Sequence, residues 1–134
     1  MKVNIYSDGG ARGNPGPAAI GVHIEDESGK KIKSISRYIG ETTNNQAEYQ
    51  ALLAGLEYVK DLKPEQATCY LDSELVVRQL NGEYKVKDKD LAAQFLKVWN
   101  ISREFKKIEF VHIRREKNKK ADLLVNLALD RQSK

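Results

Sequence analysis

The sequence predicts an α/β fold built on a mixed five-stranded sheet, in which three antiparallel strands are followed by two parallel strands. Three apolar stretches separated by turn residues come first, as expected of consecutive antiparallel strands. Two further strand-like stretches follow, and each is reached through a helical pattern, so each should lie parallel to its predecessor. The predicted element order is βββαβααβα.

The first three strands are joined by short connections. A loop rich in glycine and proline occupies residues 9–16, and a turn is predicted at 27–30. Between them, Ile20, Val22 and Ile24 alternate with other residues, which indicates a strand with one buried face. The three antiparallel strands are therefore placed at residues 2–8, 20–24 and 32–39.

The later elements begin with capping residues. Thr42, Thr43 and Asn44 precede a long helical pattern, and a break at 81–84 separates two further helices. The predicted elements are a helix at 45–62, a strand at 67–72, helices at 74–80 and 89–105, a strand at 107–113, and a helix that begins near residue 118.

Size and composition predict a single globular domain over residues 1–134. The chain is 40% hydrophobic and 31% charged, with a net charge of +4. It has no apolar stretch approaching the roughly 18 residues of a membrane helix. The first residues show no signal-peptide pattern, and Cys69 has no second cysteine to pair with. We therefore expect a cytoplasmic monomer that does not associate with membranes.

The positive charge is local. Between Ser102 and Lys120, eight basic residues stand against three acidic ones, so the remainder of the chain is close to neutral. A concentrated basic segment favours an anionic partner such as nucleic acid, although runs of charge are also common on ordinary solvated surfaces.

Two aspartates follow predicted strands. Asp8 ends the first strand and Asp72 ends the fourth. In open α/β sheets, ligands bind in the crevice beyond the carboxyl ends of the strands, and neighbouring parallel strands would bring both side chains there. The alternatives are that Asp8 is an ordinary turn residue and that Asp72 caps the helix after it.

Two more acids lie on predicted helices. Glu48 shares a helical stripe with Leu52 and Val59, and Asp122 shares a face with Val125. A carboxylate on a face that packs against the sheet is costly unless a partner compensates its charge. Alternatively, both are first-turn acids that turn towards water.

Together the four acids predict a cation site at one edge of the sheet. Clustered carboxylates repel one another unless cations bind them. A site made only of oxygen ligands selects hard cations and suits Mg²⁺, with Mn²⁺ as a substitute. The loop at 9–16 is not a nucleotide-binding loop, because Pro15 and Pro17 lead into a strand and no Gly-Lys-Ser/Thr motif is present.

Four ordered blocks of sequence resemble type 1 ribonuclease H, in the archaeal or bacterial form that lacks a basic protrusion. The blocks are YSDGG with GNPG, TTNNQAE, LDS and REKNKKAD, at residues 6–16, 42–48, 71–73 and 115–122. The resemblance covers essentially the whole chain. It implies a ribonuclease H-like fold and an endonuclease that cuts the RNA strand of RNA–DNA hybrids, leaving 5′-phosphate and 3′-hydroxyl ends.

The resemblance also implies roles for individual residues. Asp8, Glu48, Asp72 and Asp122 are expected to hold two Mg²⁺ ions, and two such ions can drive an in-line displacement at phosphorus. The residues expected to contact the hybrid are Gly9, Gly10, Ala11, Arg12, Gly13, Asn14, Thr43, Asn44, Asn45, Ser73, Lys85, Lys87 and Asn118. Short polar side chains and backbone amides suit the reading of a 2′-hydroxyl across the minor groove. Double-stranded RNA is left open as a further substrate.

The sequence departs from the family pattern at two points. No basic protrusion follows the short helix, and we expect Lys85 and Lys87 to replace it in part. A loop histidine is also missing. His112 falls within the last predicted strand, so we interpret it, like His23, as structural. We expect Arg115 to take the role of the missing histidine, with Glu116 as the alternative.

Two other functions are weighed against the nuclease. A non-catalytic module that binds hybrids or double-stranded RNA would lack one of the four carboxylates. A 3′-exonuclease of the same superfamily would carry an acid where this chain has Gly10. Neither feature is found in the sequence.

Overall fold

The computed structural model describes residues 1–133, and its elements follow the predicted order. The strands are β1 (Lys2–Ala11), β2 (Gly16–Asp26), β3 (Lys31–Thr42), β4 (Gln66–Leu71) and β5 (Ile108–His112). The helices are α1 (Asn44–Lys60), α2 (Glu74–Leu80), α3 (Lys89–Ser102) and α4 (Lys119–Gln132), with one turn of 3₁₀ helix at Arg115–Lys117.

The predicted mixed sheet is confirmed. Its strand order is β3-β2-β1-β4-β5, so β1 lies at the centre. β1 pairs antiparallel with β2, and β2 pairs antiparallel with β3. β4 runs parallel to both β1 and β5. The carboxyl ends of β1, β4 and β5 consequently meet at one edge.

Several element boundaries differ from the prediction, and β2 and β3 are both longer than the predicted strands at 20–24 and 32–39. β1 continues to Ala11 because Gly9 and Ala11 still pair with β2, so the connection to β2 is shorter than the predicted loop at 9–16. α1 ends at Lys60 instead of 62, and α3 ends at Ser102 instead of 105, where Arg103 forms the C-cap.

Helices cover the two faces of the sheet unequally. On one face, α1 and α3 bury a large core that includes Ile5, Leu52 and Val98. On the other face, α4 packs mainly on β2 and β3. Burial of this apolar surface is the main force that holds the helices against the sheet.

Two glycines allow the helices to approach the sheet closely. A Cβ atom on Gly9 would overlap the backbone of Ala47 in α1, and one on Gly21 would overlap the backbone of Ala121 in α4. Both contacts lie beside acidic residues, since Glu48 follows Ala47 and Asp122 follows Ala121. The glycines therefore decide how near these acids come to the end of β1.

Among residues 1–133, none of the helices combines the length and the apolar character that crossing a bilayer requires.

Candidate active site

Three of the four predicted acids meet at the carboxyl edge of the sheet. Asp8, Glu48 and Asp72 each offer one carboxylate oxygen, and these oxygens lie within 4.8 Å of one another. We call these three residues the acid cluster. Asp8 is 8% exposed and Glu48 is 6% exposed, so two of the three carboxylates are buried.

Local structure explains why the cluster forms. Ser7 of β1 is in register with Leu71 of β4, so Asp8 and Asp72 follow at adjacent positions on parallel strands. Glu48 reaches them from α1, whose N-cap is Thr43; the Thr43 hydroxyl accepts a hydrogen bond from the Gln46 amide at 3.3 Å.

Asp72 does not cap the helix that follows it. The N-cap of α2 is Ser73, whose hydroxyl accepts a hydrogen bond from the amide of Val76 at 3.3 Å. The capping alternative for Asp72 is therefore wrong, and its carboxylate is free to face Asp8 and Glu48.

Asp122 lines the same cavity but stands slightly apart. The cavity has a volume of about 460 Å³ and is bounded by the acid cluster, Asp122 and Arg115. The Asp122 side chain is 33% exposed, and its Oδ1 lies 3.7 Å from Nη2 of Arg115. Arg115 thus reaches the site from the 3₁₀ turn, although its own side chain is 80% exposed.

The electrostatics of the cluster are unfavourable in the protein alone. Burial raises the pKa of Asp8 to about 7; a hydrogen bond with Glu48 opposes the rise, and the charges of Asp72 and Asp122 add to it. Burial and the charge of Asp8 raise the pKa of Glu48 well above its ordinary value. Within residues 1–133, none of the three carboxylates forms an ion pair.

These residues fit a divalent cation. Oε2 of Glu48 is buried and has no hydrogen-bond partner within the described chain. Together with the carboxylates of Asp8 and Asp72, this oxygen forms a donor set made only of hard oxygen ligands. Mg²⁺ and Mn²⁺ prefer such ligands.

Several residues expected to contact a substrate form hydrogen bonds or ion pairs with other parts of the chain. Asn44 Oδ1 accepts from the amide of Ala11 at 2.8 Å, and the Asn44 amide donates to Asn14 Oδ1 at 3.0 Å. Arg12 pairs with Asp130 of α4 at 2.6 Å. These contacts fasten the end of β1 to α1 and α4.

The remaining predicted contacts fall into two groups. The exposed or half-buried positions near the cavity, on loops or at helix N-caps are Gly10, Ala11, Gly13, Thr43, Asn45, Ser73, Lys85 and Lys87. Gly9 is buried against α1 and also lines the cavity. Asn118 is only 1% exposed.

The two histidines differ. His23 is 6% exposed and its Nε2 lies 3.0 Å from Oε2 of Glu25, which agrees with its structural interpretation. His112 lies within β5, as predicted, but as the last residue of this edge strand it is exposed.

Asn126 and Asp130 were not predicted. Asn126 lines the cavity, and Asp130 binds Arg12. They follow Asp122 by one and two helical turns, so an i, i+4, i+8 pattern of polar residues on α4 was the available signal.

A five-stranded mixed sheet of this order, with acids converging beyond β1 and β4, defines the ribonuclease H-like class of α/β proteins. A family model described as reverse transcriptase-like matches residues 6–128. The chain belongs to the ribonuclease H family.

Three relatives support this assignment. The chain is 40% identical over 131 residues to the bifunctional protein Rv2228c of Mycobacterium tuberculosis. The aligned region covers 97% of this chain and 36% of that protein. It is 39% identical over 129 residues to ribonuclease HI of Halobacterium salinarum, covering 96% of this chain and 65% of that protein. The structure of LC11-RNase H1 in complex with an RNA/DNA hybrid matches with a TM-score of 0.94 at 49% identity, over 98% of this chain and 99% of that one.

The chain therefore spans 36% of the length of the mycobacterial protein and 65% of the haloarchaeal one. By contrast, it matches LC11-RNase H1 over nearly the full length of both chains.

Proposed function

We propose that this chain is a ribonuclease H, an endonuclease that hydrolyses the RNA strand of RNA–DNA hybrids and leaves 5′-phosphate and 3′-hydroxyl ends. The observation that carries this proposal is the acid cluster, in which three carboxylate oxygens lie within 4.8 Å of one another without an internal cation. The complex of LC11-RNase H1 with an RNA/DNA hybrid, at 49% identity, supports the choice of substrate.

The acids of the cavity hold the metal ions in this proposal. Asp8, Glu48 and Asp72, joined by Asp122, would bind two Mg²⁺ ions, with Mn²⁺ as a substitute. Bound ions of this kind activate a water molecule and stabilise charge on the leaving oxygen. The raised pKa values of Asp8 and Glu48 favour their protonated forms, so metal binding and deprotonation of these two acids are coupled.

The surroundings of the cluster would bind the nucleic acid. The exposed guanidinium of Arg115 beside Asp122 can meet a phosphate at the cavity mouth. Gly10 and Ala11 line the cavity and Asn44 borders it, where short polar groups and backbone amides suit a 2′-hydroxyl. Lys85 and Lys87, both exposed between α2 and α3, would contact the phosphates of the second strand.

The proposal extends to domain organisation, location and oligomeric state. We take residues 1–134 as a single ribonuclease H domain that acts as a cytoplasmic monomer. The family model covers residues 6–128, and the five strands of the described chain form one sheet, which supports a single domain.

The deciding experiment is a cleavage assay on an RNA–DNA hybrid labelled in the RNA strand, with Mg²⁺ and with EDTA. Internal cuts that require Mg²⁺ and carry 5′-phosphate ends are expected. Binding without cleavage would indicate a non-catalytic module, and shortening from the 3′ end alone would indicate an exonuclease. A double-stranded RNA of the same sequence, assayed in parallel, defines the substrate range.

A further inference from the structure

Asn118 connects the strands that carry the acid cluster. Its side-chain Nδ2 donates one hydrogen bond to the backbone carbonyl of Ser7 at 2.9 Å and another to Oδ2 of Asp72 at 3.2 Å. Ser7 directly precedes Asp8, so one amide group touches the β1 segment that carries Asp8 and the carboxylate that follows β4.

The orientation of this amide is determined by its partners. A backbone carbonyl only accepts, and an ionised carboxylate only accepts, so the NH₂ group must face both of them. Oδ1 of Asn118 points the other way, is buried, and has no hydrogen-bond partner within residues 1–133. A buried oxygen without a partner is unfavourable for stability. The orientation of the side chain is therefore determined by the two hydrogen bonds that its NH₂ group donates.

The main chain of Asn118 adds a third connection. Its carbonyl accepts from the amide of Asp122 at 3.1 Å, which begins the first turn of α4. Asn118 is therefore hydrogen-bonded to the residue before Asp8, to the carboxylate of Asp72 and to the backbone amide of Asp122.

We propose that Asn118 is a positioning residue that aims the Asp72 carboxylate into the acid cluster and sets its spacing from Asp8 and Asp122. One Asp72 oxygen is occupied by the amide, which leaves the other for a cation; this inference rests on the metal site of the proposed function. Groups that hydrogen-bond to metal ligands commonly affect metal affinity or activity by about 10- to 100-fold.

Two other roles make different demands. A substrate contact requires an accessible side chain, whereas Asn118 is 1% exposed. A purely structural cap for α4 requires the side chain to bind the amides of the first turn, and Asn118 makes no such bond.

The test compares Asn118→Ala with the wild-type protein by calorimetric titration of Mg²⁺ in the absence of hybrid. We expect Asn118→Ala to bind Mg²⁺ about 10-fold or more weakly. Its kcat on the hybrid should fall, with KM changed by less than about two-fold, because substrate contacts are intact. The matched control is Asn81→Ala, since Asn81 also donates a side-chain hydrogen bond to a backbone carbonyl, that of Phe110, but touches no acid.

A second variant keeps the test valid if the alanine variant folds poorly. Asn118→Ser keeps a small polar side chain at this position, but its hydroxyl is too short to reach both acceptors. It should recover thermal stability without recovering Mg²⁺ affinity.

Mg²⁺ affinity equal to wild type in folded Asn118 variants would overturn the proposal, and a rise in KM alone would return Asn118 to substrate binding. These results are separate from the proposed function, which fails if the wild-type protein does not cleave the hybrid.

Discussion

Two clusters of charged residues lie on the same face of the sheet, only two residues apart along β1. They differ in how their negative charge is compensated. Tyr6 and Asp8 share this face because side chains alternate along a strand. Beside Tyr6, His23 lies 3.0 Å from Glu25, and Lys120 lies 4.0 Å from the same carboxylate. We call His23, Glu25 and Lys120 the compensated cluster. Beside Asp8, the acid cluster has three carboxylates and no basic partner within the described residues.

The comparison distinguishes charged residues that the chain balances internally from charged residues that require a cation from outside. In the compensated cluster, the charge of Glu25 meets basic side chains from the same chain, so nothing further is needed for stability. In the acid cluster, burial and mutual repulsion raise the pKa values of Asp8 and Glu48, and the compensating charge must come from outside. The predictions below test this contrast.

The largest expected effect is the loss of hydrolysis when an acid of the cluster becomes neutral. Asp8→Asn, Glu48→Gln and Asp72→Asn should each lower kcat by about 1,000-fold or more, because each removes an ion ligand while preserving shape. Gel-shift binding to the hybrid should survive. The rate of RNA cleavage at saturating hybrid and Mg²⁺ measures the effect.

The matched control for these substitutions is Asp61→Asn. It makes the same isosteric change at the exposed C-cap of α1, away from the cavity, and should leave the rate unchanged. Full activity in any of the three cluster variants would refute the assignment of that acid.

A smaller effect is expected at Arg115. Arg115→Ala should lower kcat about 10-fold while changing KM less, because the guanidinium beside Asp122 acts on charge that develops at the phosphate. Lysine at this position should restore part of the loss and histidine little. Arg103→Ala, in the same basic segment, is the control. An unchanged kcat with a raised KM would make Arg115 an ordinary phosphate contact.

Much of this architecture could be predicted from the sequence. Strand alternation and helix caps indicated all nine main elements and the antiparallel-then-parallel sheet. Parallel strands place their carboxyl ends together, so the meeting of Asp8 and Asp72 followed from topology, and the helical stripe of Glu48 predicted its inward face.

The missed features depend on three-dimensional contacts that local patterns do not encode. Gly9 was assigned to a loop because glycine runs usually end strands, but pairing with Ile20 extends β1. The burial of Asn118 arises from contacts with Ser7 and Asp72, which are distant in sequence. His112 shares the strand face of the half-buried Ile108 and Phe110, yet its position at the end of an edge strand leaves it exposed.

A moderate effect on stability is expected without metal. The raised pKa of Asp8, about 7, means that the native protein keeps a proton that the unfolded chain loses between about pH 4 and pH 7. The free energy of unfolding should therefore fall as pH rises through this range, with the full penalty present above about pH 7. In EDTA at about pH 8, Asp8→Asn should raise the free energy of unfolding by about 1–2 kcal/mol.

The compensated cluster supplies the opposite expectation. Glu25→Gln removes the partner of His23 and Lys120, so it should lower stability slightly, by up to about 1 kcal/mol. Thermal unfolding in EDTA across the pH range measures both variants. Destabilisation by Asp8→Asn would mean that the acid cluster is balanced within the protein after all.

The smallest effect concerns salt. Without a basic protrusion, few phosphates are neutralised at once, so the slope of log K against log salt for hybrid binding should be shallow, no steeper than about −4. Replacing both Lys85 and Lys87 with alanine should reduce the slope by about 1–2. A steep slope would reveal a larger basic surface than the segment from Ser102 to Lys120 and these two lysines provide.

The most direct test of the external-cation account is the melting temperature of the wild-type protein as Mg²⁺ is added without nucleic acid. A ligand that binds only the native state raises stability with the logarithm of its concentration above its dissociation constant. We predict such a rise for the wild-type protein and for Glu25→Gln, and little or none for Asp8→Asn. A melting temperature that is independent of Mg²⁺ in the wild-type protein, or that rises equally in Asp8→Asn, would contradict the account.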